Sequence, residues 1–239
     1  MKKHFTLFLY ISLIFLAVTL VQADFLFIPN VYSISHLAVS LGLLFLGFVF
    51  DAVAWHNTIN QHESINVKLS DSISSMGISV FGKYIPGKLW IVLGRATYLA
   101  KRYDLDEKEC AVMSLNTQFI SLWVGSLLGG LGVFLTGGDL KWGVLALGLW
   151  LVLTLILFTR WPYRLIESSA SRIFKKQFDL PSVDIRQVGR VLPWFFVNWL
   201  LWITSFYYLV DALTIGTVSY VVGFVFAIGA TVGIVVILA

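Results

Sequence analysis

One cysteine, Cys110, stands in a chain of 239 residues. A disulfide-stapled secreted module is therefore excluded. Charge is scarce too: 13% of the residues are charged, against ~25% in an ordinary soluble domain. Histidines number four, His4, His36, His56 and His62, and they are scattered. His56 and His62 lack the i, i+4 spacing of a helical metal pair, and no Ser-His-Asp grouping can be placed. There is no Walker A motif, so the chain does not itself consume ATP. The run Gly129-Gly130-Leu131-Gly132 has neither the spacing nor the preceding strand of a dinucleotide fingerprint. These absences favour a non-enzyme with no catalytic residues, no cofactor, no metal site and no nucleic-acid partner.

Apolar residues make up 58% of the chain, and the mean hydropathy is +0.85. That excess excludes disorder, which needs few apolar residues and high net charge. An all-α, multi-pass membrane helix bundle remains. A spanning helix needs ~20 apolar residues, so the length accommodates roughly six to eight spans. Residues 5–21 form an uncharged run after Lys2 and Lys3. This run is read as a first span or as a signal peptide, and its length favours the span. Further spans are expected at residues 36–55, 111–136, 140–159, 191–213 and 217–239, with a weaker, broken segment at 65–100. No internal repeat is convincing, and residues 1–239 read as one transmembrane domain.

The basic residues fix an orientation. All but one of the 17 lie before the first run, between residues 68 and 108, or between residues 160 and 190. The exception is Lys141. By the positive-inside rule, the N-terminus and both long basic stretches face the cytoplasm across the cell membrane. Residues 160–190 carry Ile166, Ala170, Ile173, Phe174 and Phe178 among Arg164, Arg172, Lys175 and Lys176. That pattern predicts an amphipathic basic loop lying on the anionic leaflet.

The broken segment is unlike the other runs. Ile65, Leu69, Ile73, Met76 and Val80 trace one helical face, with serines and Asp71 around them. Then come Gly82-Lys83-Tyr84-Ile85-Pro86-Gly87-Lys88-Leu89-Trp90. Pro86 blocks helix continuation, and Gly87 permits positive φ. A second helix from about residue 88 to 103 puts Lys88, Arg95 and Arg102 seven apart on one face. Two readings fit residues 65–103: a re-entrant hairpin, or a pair of interfacial helices on the membrane surface.

The residues 82–90, followed by Gly94-Arg95, resemble the Tyr-Ile-Pro-Gly-x-x-Trp…Gly-Arg signature of a membrane family. This is the flippase-like transmembrane region of the lysylphosphatidylglycerol synthases and their stand-alone relatives. Those relatives are often associated with glycosyltransferases and with polysaccharide or glycolipid assembly. The resemblance implies a protein that translocates or presents an anionic lipid or a lipid-linked glycan precursor in cell-envelope biosynthesis. The alternative is a non-transporting scaffold for a glycosyltransferase. Membrane lipids, a glycosyltransferase and a second copy of the chain are the partners considered. Family members usually continue with a Pro-Gly-Gly-x-Gly-x-Arg-Glu type motif, so the expectation is that the native chain runs beyond Ala239.

A head-group site in hydrocarbon needs compensating cations. Lys83, Lys88 and Arg95 supply them. A half-helix starting at Gly87–Trp90 adds about half a positive charge and free N–H donors. Arg95 can hold a phosphate with its planar fork, and the lysines act as point charges. With Tyr84, Pro86, Gly87 and Trp90 these form the candidate lipid site. The competing reading makes the same cations solvated anchors on the anionic leaflet.

Other polar residues carry smaller expectations. Asp51 either pairs with Arg95 or Lys83 or, more simply, reaches the interface. Asn116, Gln118 and Asn198 read as helix–helix glue, worth ~0.6 kcal/mol each. Asp211 reads as interfacial. Gly125-x-x-x-Gly129 and Gly229-x-x-x-Gly233 read as faces for close helix contact.

Overall fold

The computed structural model describes residue 18 and residues 29–61, 66–81, 90–159 and 185–238. The first expected span, the motif at 82–89 and residues 160–184 of the basic stretch lie outside the described residues. Within them the chain forms seven helices and no strand. They are α1 (Ile34–Ile59), α2 (Leu69–Phe81), α3 (Trp90–Tyr103), α4 (Glu107–Leu135), α5 (Leu140–Phe158), α6 (Ile185–Leu213) and α7 (Val221–Leu238).

Four of these, α1, α4, α5 and α6, are long and apolar enough to cross a membrane. The last expected span is helical and apolar over Val221–Leu238. The fold is therefore a multi-pass helical membrane bundle. Helix α6 begins at Ile185, so the end of the basic stretch forms its opening turns rather than a loop.

Local chemistry sets the helix starts. The side chains of Ser33, Asp106 and Asp139 accept hydrogen bonds from the first free backbone N–H groups of α1, α4 and α5. Helix α3 stops where Asp104 takes a left-handed conformation, φ 54°. The N–H of Leu105 there returns to the Ala100 carbonyl at 2.9 Å.

Water does not drive helices together inside a bilayer, so small residues and buried polar bonds decide the packing. Helices α1 and α6 run antiparallel: the N–H of Tyr32 donates to the Ala212 carbonyl at 2.9 Å. Farther along, Ser205 Oγ donates to the Ser40 carbonyl at 2.8 Å, and Asn198 Nδ2 to the Gly47 carbonyl at 2.8 Å. Asn198 thus acts as glue, as expected. Gly125 and Gly129 also behave as expected. A Cβ on Gly125 would lie 2.4 Å from the Trp199 ring, and one on Gly129 would lie 2.8 Å from Ile228. Gly229 and Gly233 do not. A Cβ on either meets no described atom within 4 Å, so no described helix lies against that face.

Helices α2 and α3 form an antiparallel pair with both feet at one end of the bundle. Arg102 Nε lies 3.0 Å from Asp71 Oδ2, and the Tyr103 hydroxyl donates to the same oxygen at 2.6 Å. Asn60, at the C-terminal end of α1, exchanges hydrogen bonds with both backbone groups of Val67, at 2.8 and 3.0 Å. Ala96 and Leu99 of α3 pack with Trp55, Ile59 and Cys110 in a core separate from the one around Phe195 and Trp199.

Candidate functional site

Where the α2–α3 pair meets α1, α4 and α6, a cavity of about 430 Å³ opens. Its walls are mostly apolar, with Phe45 and Phe48 from α1, Ile73 from α2, Trp199 and Trp202 from α6 and Ile234 from α7. Its polar lining is Asp51, Ser79, Arg95, Gln118 and Ser121. One cation and one carboxylate thus share a cavity walled by aromatic rings.

Arg95 is the most constrained of these groups. Its residue is 3% exposed. Nε donates to Ser114 Oγ and Nη2 to the Ser114 carbonyl, each at 2.6 Å. Nη1 approaches Met76 Sδ at 3.3 Å. The guanidinium carbon stands 4.7 Å from the centroid of the Trp55 ring, a cation–π distance. Trp55 is itself pinned by an Nε1 hydrogen bond to Ser75 Oγ at 3.0 Å. Four helices therefore hold one guanidinium in place. Among the described residues three of its five N–H groups are used, and Arg95 lines the cavity. Asp51 acts on this guanidinium as a favourable countercharge.

Of the expected site residues, the structure brings Arg95 to the cavity. Trp90 opens α3, with its side chain outside the described residues. Lys83, Tyr84, Pro86, Gly87 and Lys88 also lie outside them. Arg102, on the same face of α3, is committed to Asp71 and stays at the foot of the hairpin. There the Tyr103 hydroxyl, with Arg102, holds the Asp71 carboxyl below its ordinary pKa. Asp51 is half-buried and lines the cavity together with Arg95. Gln118 lines the cavity as well. Asp211 pairs with His36 at 2.5 Å, at the opposite end of the bundle from the hairpin's feet.

Sequence reasoning missed the cradle of Arg95. Ser114, Met76 and Trp55 carry no motif. A signal was present in α1, where Asp51 and Trp55 are four apart and so share a face. Trp202 was also missed as a wall. Its ring sits against Gly47, where a Cβ would fall 2.2 Å from Nε1. That Nε1 and Asn198 Oδ1 are buried with no hydrogen-bond partner among the described residues.

The chain belongs to the family described as the lysylphosphatidylglycerol synthase TM region, whose family model matches residues 5–238. No curated protein and no solved structure matches the chain.

Proposed function

We propose that this member of the family is a flippase-like protein. It translocates or presents an anionic lipid, or a lipid-linked glycan precursor, during assembly of the cell envelope. The supporting observation is Arg95: a buried guanidinium, fixed by Ser114 and stacked on Trp55, that lines an aromatic cavity. An ionisable group at membrane depth is costly and marks a ligand or ion path. An amphipathic cavity of this kind suits a lipid: the phosphate meets the planar fork, and the upper acyl chain meets Phe45, Phe48 and Trp202. Ser114 and Trp55 would hold the fork ready, so that little side-chain entropy is lost on binding.

In this reading residues 65–103 form a re-entrant hairpin. Its feet and residues 160–190 face the cytoplasm, and the break at Pro86-Gly87 delivers Lys83 and Lys88 to the same head group. The lysines would attract the phosphate, and Arg95 would orient it. The charge asymmetry supports an orientation with the N-terminus in the cytoplasm, and the reading places the protein in the cell membrane.

The test is reconstitution into vesicles with a fluorescent phosphatidylglycerol and external dithionite. Wild type should equalise the label between leaflets faster than empty vesicles. Arg95→Lys should slow this more than Lys101→Ala, because Lys101 is exposed and off the cavity. Equal rates for wild type, Arg95→Lys and empty vesicles would defeat the translocation reading.

A further inference from the structure

We infer that the cavity loads sideways, from the leaflet at the hairpin's feet, through a mouth framed by α1 and α2. The inference rests on the lipid-binding reading of the cavity and adds the route and the leaflet from which the lipid comes. The lining residues differ in exposure. Arg95, Ser121 and Trp199, from α3, α4 and α6, are buried. Four lining residues are exposed among those described: Phe45 and Phe48 on α1, and Ile73 and Gly77 on α2. All four belong to two helices that pack on each other, so the rim of the cavity lies there and its back lies on α3, α4 and α6. A Cβ on Gly77 meets no described atom within 4 Å, so the rim is open at that point.

Height along the helices gives the cavity a polarity. The hairpin's feet meet the end of α1 where Asn60 bonds to Val67. Asp51 lies eight residues before Ile59 on α1, and Arg95 lies eight before Tyr103 on α3. At a rise of about 1.5 Å per residue, both stand about 12 Å from the feet. The Trp202 ring rests on Gly47, at about 18 Å, and Phe45 stands at about 21 Å. Helix α1 has 26 residues, about 39 Å in length, which is close to the full bilayer with its head groups. The charged end of the cavity therefore lies in the leaflet at the feet, and its rings reach the mid-plane. A phospholipid of that leaflet has the same order, head group toward the feet and acyl chain toward the mid-plane. It can enter without turning over. Its chain never crosses water, where every exposed methylene costs free energy.

The seam between α1 and α6 is closed in the other half of the bundle. Asn198 bonds to Gly47, Ser205 to Ser40 and Tyr32 to Ala212, and His36 pairs with Asp211 at the far end. The conformation described is thus the one that loads from the feet, which the charge asymmetry assigns to the cytoplasmic leaflet.

The experiment places the full chain in phosphatidylcholine vesicles and adds a brominated phosphatidylglycerol from outside, so that it enters the outer leaflet. Stopped-flow quenching of tryptophan fluorescence follows uptake, and the part of the signal lost in Arg95→Gln reports the cavity. The share of chains with their feet outward is measured with an impermeant maleimide on Lys108→Cys, in a chain carrying Cys110→Ser. Across preparations, the prompt amplitude should rise in proportion to that share. Gly77→Phe fills the mouth where a side chain has room, and should slow the prompt phase about tenfold. Gly42→Phe, on a face of α1 that is equally open but off the cavity, should leave it unchanged. Uptake by Gly77→Phe at the wild-type rate overturns the inference. Equal slowing by Gly42→Phe also overturns it, because the effect would then be on the bundle and not on the mouth. So does a prompt amplitude that rises with the feet-inward share, a result that needs no substitution in the mouth. In each of these cases lipid binding itself stands. No Arg95-dependent quenching in wild type would instead remove the lipid-binding reading, and the inference with it.

Discussion

Replacing Arg95 with glutamine tests the cavity and its charge balance together. The substitution removes two 2.6 Å hydrogen bonds to Ser114 and the contact over the Trp55 ring. It leaves the buried Ser114 acceptors without their donor, at about 1–3 kcal/mol, and weakens the favourable field at the half-buried Asp51. The double variant Asp51→Asn/Arg95→Gln removes the carboxylate's charge as well and should recover the electrostatic part of that loss. Lipid binding should behave differently. Losing charge-assisted bonds to a phosphate costs ~1.5–3 kcal/mol, or tenfold and more in affinity, and the second substitution does not restore the fork. The assay is thermal unfolding in detergent for all four chains of the cycle, with phosphatidylglycerol binding measured on each. The reasoning requires rescue of stability without rescue of binding. If Arg95→Gln unfolds at the wild-type temperature, or if the double variant regains binding, Arg95 is not the anion site described.

Gly47→Ala would place a Cβ 2.2 Å from Trp202 Nε1, pushing the ring that walls the cavity. Overpacking of this kind costs about 1–3 kcal/mol, and both the melting temperature and lipid affinity should fall. Gly132→Ala would put a Cβ 2.0 Å from the Phe224 ring, away from the cavity, so stability should drop while the affinity of the remaining folded protein holds. For the topology, Lys108→Cys and Lys141→Cys are placed in a chain whose native Cys110 is replaced by serine. An impermeant maleimide added to intact cells should label the second and spare the first, and the reverse pattern would invert the bundle.

The helical spans were legible because hydropathy is read along the chain and needs no tertiary partner. The antiparallel course of α2 and α3 agrees with an expected break between them, while residues 82–89 themselves lie outside the described ones. Arg95 stood out as an arginine in an otherwise apolar helical stretch just after that break. Its cradle was not legible: Ser114 is 19 residues away, and nothing about a serine in an apolar helix announces a bond to guanidinium. For Asp51 the sequence left pairing with Arg95 and reaching the interface both open. Only the packing of the α2–α3 pair over α1 brings it to one cavity with Arg95. The two glycine pairs carry the same caution. Gly125 and Gly129 meet Trp199 and Ile228, whereas Gly229 and Gly233 meet no described neighbour. Spacing identifies a smooth helix face without saying whether another helix lies against it. The His36–Asp211 pair spans 175 residues and leaves no local trace at all.

The most direct test of the central claim is native mass spectrometry of the chain released from membranes in mild detergent. Wild type should retain one anionic phospholipid at low micelle-free lipid, and the stable double variant Asp51→Asn/Arg95→Gln should emerge without it. Equal retention by both chains would mean that the lipid sits elsewhere, and would contradict the assignment of the Arg95 cavity as the head-group site.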